Sequence, residues 1–139
     1  MCYLGCMSAR STAAASFGNA LAQAIELHRL GKLEEAAQSY QRLRAKRPKH
    51  PDLLHYLGLL RHQQGRTDEA LPLLQRALKL RPKHADFHNN FGNVYRQRGE
   101  LDQARERYCS ATALAPDHAD AWMNLGTTYV AMDRHDAAA

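Results

Sequence analysis

The sequence lacks the features that mark a membrane-spanning, secreted or disulfide-bonded chain. No apolar run approaches the roughly 18 to 20 residues that a helix needs to cross a bilayer. The three cysteines, Cys2, Cys6 and Cys109, form no paired framework and have no second Cys or His pair at zinc-site spacing. Too few residues precede Cys6 for a signal peptide. These absences favour a reduced, cytoplasmic protein without membrane association.

The sequence also lacks the motifs of the common enzyme classes. It contains no glycine-rich phosphate loop, no nucleophile elbow and no H-E-x-x-H pair. Apolar residues nevertheless make up 45% of the chain and charged residues 24%, which is typical of a packed protein. We therefore expect a folded chain that is not an enzyme and has no catalytic or cofactor-binding residues.

One period of 34 residues organises what is present. Proline recurs at Pro48, Pro82 and Pro116, each 34 residues after the last. Two glycine series and one alanine series share that spacing: Gly31, Gly65 and Gly99; Gly58, Gly92 and Gly126; Ala36, Ala70, Ala104 and Ala138. Such self-similarity predicts a stacked repeat architecture. Counting from Phe17 gives units 17–50, 51–84 and 85–118 and a partial unit 119–139, after a leader, 1–16, that we expect to be disordered.

Each unit is predicted to form two antiparallel helices. In the third unit, apolar residues recur at helical spacings of three and four on both sides of Gly99, which is suited to the turn between the helices. Gly92 and Ala104 would let the two backbones approach, and Tyr95 and Tyr108 would fill the volume beside them. In the fourth unit Asp133 replaces the inter-helix glycine, and Asp136 to Ala139 are expected to begin a second helix. Because one helix pair cannot bury its apolar face, the units should stack into an all-α solenoid.

The period and its signature positions resemble the tetratricopeptide repeat (TPR) family. Trp122, Leu125, Gly126 and Tyr129 carry the resemblance in the fourth unit, and Phe91, Gly92, Tyr95, Ala104, Tyr108, Ala111 and Pro116 carry it in the third. It covers Phe17 to Ala139. Departures include Arg61 in place of the usual tyrosine and His88 in place of a large apolar residue. The resemblance implies a right-handed superhelix of about three and a half repeats.

The resemblance also implies a peptide-binding groove on the concave face, lined by the first helix of each unit. The resemblance implies that positions 2, 5, 6, 9, 12 and 13 of each unit point into this groove. The candidate groove residues are Asp52, His55, Tyr56, Leu59 and His62 in the second unit; Asp86, Asn89, Asn90, Asn93 and Arg96 in the third; and Asn124 and Thr127 in the fourth.

Asparagine lowers helix propensity, so the four groove asparagines call for an explanation. An amide side chain is both donor and acceptor, and it could bond the backbone of an extended peptide. Alternatively, these amides could cap or pair with neighbouring helices across the repeat interface. The aspartates Asp52, Asp86 and Asp120 each lie in the first turn of a first helix, where compensation of the helix dipole is favoured over ligand contact.

The placement of charge and of histidine bears on nucleic-acid and metal binding. Arg47, Lys49, Arg81 and Lys83 form a basic edge, but no base-stacking aromatics are interleaved with them, so we expect a solubilising edge and no nucleic-acid partner. His50, His84 and His118 are one period apart, which predicts a separation of roughly 10 Å in a stack of helices. We therefore expect no metal site.

The main functional prediction is a scaffold that binds a protein or peptide partner in its groove. Asn90 and Asn124, with Asp86 and Asp120, also resemble the repeats that precede O-linked N-acetylglucosamine transferases, which implies a substrate-recruiting arm as the alternative. A structural spacer or oligomerisation module is a third hypothesis. The unfinished fourth unit predicts a fragment of a longer protein, with a C-terminal face around Trp122, Met123 and Tyr129 that could support self-association.

Overall fold

The computed structural model describes the backbone of residues 2–138 and the side chains of residues 16–137. That part of the chain forms seven helices and no strand. The helices are α1 (Cys2–Arg29), α2 (Leu33–Lys46), α3 (Pro51–Gln63), α4 (Thr67–Leu80), α5 (Ala85–Gln97), α6 (Leu101–Leu114) and α7 (Ala119–Ala138). Helix α1 begins inside the stretch 1–16 that the sequence assigns to a disordered leader, and the state of that leader stays a prediction.

Glycine makes the turn inside each complete unit. Gly31, Gly65 and Gly99 have φ angles of 81°, 80° and 79°, a left-handed conformation that side-chain-bearing residues rarely adopt. At each turn a backbone N–H reaches back to the first helix; for example, Glu100 N–H donates to the carbonyl of Tyr95 at 2.9 Å. The chain then reverses into the second helix.

The fourth unit differs from the prediction at this turn. Helix α7 runs without interruption through Asp133 as far as Ala138, so the expectation of a second helix starting at Asp136 is wrong over the described residues. The physical reason is that Asp133 disfavours the left-handed conformation that Gly99 adopts, whereas it tolerates a helix.

The helices of a unit pack closely at the second glycine series, as predicted. A Cβ on Gly92 would lie 2.7 Å from Cε1 of Tyr108, and one on Gly58 would lie 2.8 Å from Cγ of Leu74. Tyr108 and Leu74 occupy the same position of successive units and are buried. The glycine of the first helix therefore admits the large side chain of the second.

The stack curves, with the first helices on its inner side. Helix α1 contacts α3, α3 contacts α5 and α5 contacts α7, whereas no contact joins α2 to α4 or α4 to α6 in the described residues. First helices are thus nearer to one another than second helices are, which places them on the concave face. This geometry confirms the predicted all-α solenoid and locates the candidate groove.

The histidine at the end of each unit has a structural role that the sequence did not reveal. It is the N-cap of the next first helix, and Nδ1 of His50 accepts the N–H of Leu53 at 3.4 Å while Nδ1 of His118 accepts that of Ala121 at 3.1 Å. His84 instead stacks on Phe87 at 4.1 Å between ring centroids, and its Nδ1 is buried without a hydrogen-bond partner among the described residues.

Candidate peptide-binding groove

Two rows of side-chain pairs cross the groove, and each pair joins residues 35 apart in the sequence. In the first row, position 12 of one unit meets position 13 of the next: His28 Nε2 is 2.7 Å from Oε1 of Gln63, and His62 bonds Gln97 in the same way. In the second row, position 5 meets position 6: His55 with Asn90 at 3.1 Å, and Asn89 with Asn124 at 3.0 Å. The side chains of the groove therefore link consecutive units.

The remaining asparagine also has an intramolecular partner. Asn93 Oδ1 accepts the hydroxyl of Tyr108 at 2.5 Å, and Asn124 Oδ1 accepts Nη1 of Arg96 at 3.3 Å. All four groove asparagines thus bond to neighbouring helices, which is one of the two roles expected for them. Each amide can make more bonds than these, so pairing fixes its orientation without using all its capacity.

His55 and Asn89 lie beneath the groove surface. Only 2% of His55 and 7% of Asn89 is exposed. The His55 ring stacks on Phe87 with 4.1 Å between centroids, and burial lowers its pKa to about 3, with the neighbouring His84 adding to the shift. His55 is therefore neutral near pH 7, and its Nε2 accepts an N–H of Asn90. It holds Asn90 in place from below.

Asn90 is the part of this pair that faces the groove. It is half-buried, and it lines two cavities that lie side by side. The larger has a volume of about 310 Å³ and the smaller about 210 Å³. Among the described residues, no side-chain hydrogen bond uses the Oδ1 atom of Asn90. A backbone N–H of an extended peptide could occupy that acceptor.

Apolar groups contribute to both cavities. Tyr56 lines the larger cavity together with Leu21, Ile25 and Phe87, and Leu59 lines the smaller one with Val94. Tyr56 and Leu59 are half-buried, so part of each side chain is available for contact. Burial raises the pKa of Tyr56, and the nearby carboxylates of Asp52 and Asp86 raise it further, so its hydroxyl stays protonated.

Two of the three aspartates in the first turns have partners outside their own helix. Asp52 Oδ1 lies 3.2 Å from Nη1 of Arg81, and Asp86 Oδ1 accepts Nε2–H of His118 at 2.7 Å. Asp120 is exposed, and no salt bridge of the described residues includes it. The aspartates therefore do more than compensate the helix dipole, because two of them tie a first helix to the loop after the following second helix.

The other candidate residues lie outside the larger cavity. His62 lines the smaller cavity and its Nδ1 is 2.9 Å from the hydroxyl of Thr67. Arg96 is half-buried beside Asn124. Thr127 is exposed, and its hydroxyl donates to the backbone carbonyl of Met123 at 2.9 Å. Of the predicted set, Asp52, His55, Tyr56, Asp86 and Asn90 come together around one cavity.

The basic edge is exposed but partly engaged in the protein. Arg47 lies over the ring of Phe17, 4.2 Å from its centroid, and Arg81 pairs with Asp52. Lys49 and Lys83 are exposed. Among the side chains that the structure describes, no group of three or more His, Cys, Asp or Glu residues could hold a metal ion. No described helix is both long and apolar enough to cross a membrane.

Comparison with known protein families accounts for this geometry. Models described as tetratricopeptide repeat match residues 21–85 and 73–106, and one described as TPR repeat matches residues 92–133. The matches together extend over most of the chain. The chain belongs to the tetratricopeptide repeat family. Repeats of this kind form extended concave surfaces that bind other proteins.

Solved structures add detail to the family assignment. An O-GlcNAc transferase of Thermobaculum terrenum, as the K341M mutant, is 31% identical with a TM-score of 0.78, over 83% of this chain and 22% of that one. MamA of Desulfovibrio magneticus RS-1 is 23% identical with a TM-score of 0.74, over 88% and 69% of the two chains. Pseudomonas aeruginosa pilF is 18% identical with a TM-score of 0.79, over 86% and 55%.

These similarities differ in what they establish. MamA and pilF share the fold with this TPR chain, which is all that such low identity shows. The sequence identity to the transferase is higher, at 31%, but this chain spans only about a fifth of that protein's length. No curated protein sequence matches the chain.

Proposed function

We propose that this TPR chain is a protein-interaction scaffold that binds an extended segment of a partner in its concave groove. The observation that carries the proposal is the position of Asn90. Its amide is oriented from below by His55, it lies between two adjoining cavities, and its carbonyl oxygen is available. A fixed amide can bond a peptide backbone whatever the peptide's side chains are, and preorganisation lowers the entropic cost of binding.

The other groove residues divide between contact and support in this proposal. Asn93 offers N–H groups to the peptide, since its oxygen accepts from Tyr108. Tyr56 and Leu59 give apolar contact, and His62, Arg96, Asn124 and Thr127 extend the polar surface. His55 and Asn89 are buried and act by holding Asn90 and Asn124. Asp52 and Asp86 border the larger cavity.

A peptide-capture experiment tests the proposal. Random twelve-residue peptides are selected on the immobilised chain, and the affinity of a selected peptide is measured by fluorescence anisotropy. We expect Asn90→Ala to weaken binding about tenfold, since it removes a hydrogen bond at the centre of the groove. Gln75→Ala, an exposed position on the outer helix α4, should leave the affinity unchanged. Unaltered binding by Asn90→Ala, with its helicity intact, would refute the groove mechanism.

A second function is favoured by one comparison. The 31% identity to the T. terrenum O-GlcNAc transferase supports the hypothesis that this chain recruits substrates for a glycosyltransferase. Under this hypothesis the groove binds the segment that is to be modified. Sequencing of the complete gene tests it directly: a glycosyltransferase domain in the same reading frame is expected, and a complete gene without one would exclude this form of the hypothesis.

A further inference from the structure

The larger groove cavity is lined by both apolar and charged side chains, which a site that bonds only a peptide backbone does not require. Its apolar lining includes Leu21 and Ile25 of α1 and Phe87 of α5. Its polar lining includes Tyr56, Asn90 and the carboxylates of Asp52 and Asp86. The volume of about 310 Å³ exceeds what a peptide backbone alone would fill. The cavity can therefore accept a long side chain with a polar end.

The charge at the cavity is negative. Asp52 and Asp86 bring two carboxylates, and Arg81 is the one lysine or arginine among the described lining residues. Its pair with Asp52 is a single contact at 3.2 Å, with 45% of the Arg81 side chain and 33% of the Asp52 side chain exposed. Such an exposed ion pair is weak, so a cation of a bound ligand can replace Arg81 beside Asp52.

The hydrogen bond from His118 to Asp86 does not require a charged imidazole. Nδ1 of His118 accepts the N–H of Ala121, so the proton of the neutral imidazole lies on Nε2 and is donated to Asp86. This donor can be neutral, and Asp86 keeps a net negative charge with 67% of its side chain exposed. His55 adds no positive charge near pH 7, since burial lowers its pKa to about 3.

The wall also presents a hydrogen-bond acceptor, the Oδ1 atom of Asn90, which no side-chain hydrogen bond of the described residues uses. A ligand group that carries several N–H donors, a positive charge and an apolar stem matches this wall.

We propose that this cavity is a specificity subsite for a lysine or arginine side chain of the bound segment. The aliphatic stem packs on Tyr56 and Ile25, which are half-buried, and the cationic end lies between Asp52 and Asp86. This inference rests on the proposed groove function and adds to it, because the amides bind any extended backbone whereas the cavity selects one residue type.

The peptides selected on the immobilised chain provide the first test. We expect lysine or arginine to be enriched at one position of the selected set. Replacing that residue by methionine, of similar length but uncharged, should weaken binding about tenfold. The loss should shrink as ionic strength rises, because the interaction is electrostatic. Selected peptides without any basic preference would overturn the subsite and leave the groove function standing.

Variants of the chain assign the preference to the cavity. Asp86→Asn keeps an oxygen that can accept from His118 but removes the charge, and it should bind the lysine and methionine peptides almost equally. Asp120→Asn is the matched control, at the same position of the next unit and outside the cavity, and it should retain the preference. Arg81→Gln removes the internal cation and should increase the preference for lysine.

The outcomes separate the two proposals. An unchanged lysine preference in Asp86→Asn, with helicity equal to that of the original chain, overturns the subsite. A loss of preference in Asp120→Asn equal to that in Asp86→Asn also overturns it, since the effect would then be a general one of charge. Failure of the original chain to select any peptide overturns both the groove function and the subsite.

Discussion

His88 and Trp122, one period apart, make the same hydrogen bond. Nε2 of His88 donates to the carbonyl of Pro82 at 2.8 Å, and Nε1 of Trp122 donates to that of Pro116 at 2.8 Å. His88 departs from the large apolar residue that the repeat pattern prefers, yet its ring, like that of Trp122, carries an N–H that donates to the proline carbonyl. The bond ties each first helix to the loop before it.

This relationship predicts the effect of removing the ring donor. His88→Phe keeps a buried aromatic ring but leaves the Pro82 carbonyl and Nη1 of Arg107 without their partner. We expect the free energy of unfolding to fall by about 1 kcal/mol, measured by urea titration with circular dichroism. Trp122→Phe loses the same bond at a ring that is 51% exposed, so its effect should be smaller. Equal losses in the two variants would show that burial does not set the cost.

The glycines at the eighth position of a unit provide a matched pair. In Gly92→Ala the new Cβ would lie 2.7 Å from Cε1 of Tyr108, whose hydroxyl is held by Asn93, so the ring cannot move freely. Overpacking should cost about 1–3 kcal/mol and outweigh the gain in helix propensity.

Gly126→Ala is the control for that substitution. A Cβ there meets nothing within 4 Å, and we expect a gain of about 0.5–1 kcal/mol from helix propensity alone. Thermal and urea denaturation of both variants, followed by circular dichroism, gives the comparison. A stabilised Gly92→Ala would contradict the packing role assigned to Tyr108.

The sequence predicts most of the fold because its signals are local. The period, the glycine turns and the small residues at Gly92 and Ala104 each follow from backbone sterics that a few neighbouring residues determine. The predicted turn at Asp133 of the partial unit is wrong. There the chain lacks glycine, and the helix continues to Ala138.

The groove was predicted less completely, for a physical reason. Which amide meets which depends on the offset between stacked units, and the structure has position 5 of one unit opposite position 6 of the next. The sequence repeats every 34 residues, and no local pattern shows that the bonded side chains are 35 residues apart. The histidine caps were missed because the preferred N-cap residues are Ser, Thr, Asp and Asn. A histidine before an aspartate-containing first turn in three successive units was the available signal.

The burial of His55 predicts a dependence of stability on pH. Its pKa is about 3 in the folded protein and near 6.5 when unfolded, so the unfolded state binds more protons between these values. The free energy of unfolding should therefore fall as the pH drops from about 6.5 to 4, by up to about 1.4 kcal/mol per pH unit from this group. Burial also lowers the pKa of His28 and His88, which acts in the same direction.

His55→Asn isolates that contribution. Asn89 occupies the same position in the third unit and bonds Asn124, so asparagine at 55 has a precedent as a partner for position 6. We expect the slope of unfolding free energy against pH to be smaller in the variant by up to about 1.4 kcal/mol per pH unit, which corresponds to one bound proton. The slope is measured by urea titration from pH 4 to pH 7. Parallel slopes for the two proteins would contradict a neutral, buried His55.

The pair between Asn89 and Asn124 should couple adjacent units energetically. Nδ2 of Asn124 donates to Oδ1 of Asn89 at 3.0 Å, where Asn89 is 7% exposed. In a double-mutant cycle of Asn89→Ala and Asn124→Ala, we expect a coupling energy of about 0.5–1.5 kcal/mol in unfolding free energy. The pair of Asn89 with the distant Gln75 is the control, which should be additive. A coupling near zero at 89 and 124 would mean that the amide at 124 is held by Arg96 alone, and that the row of amides does not transmit stability from one unit to the next.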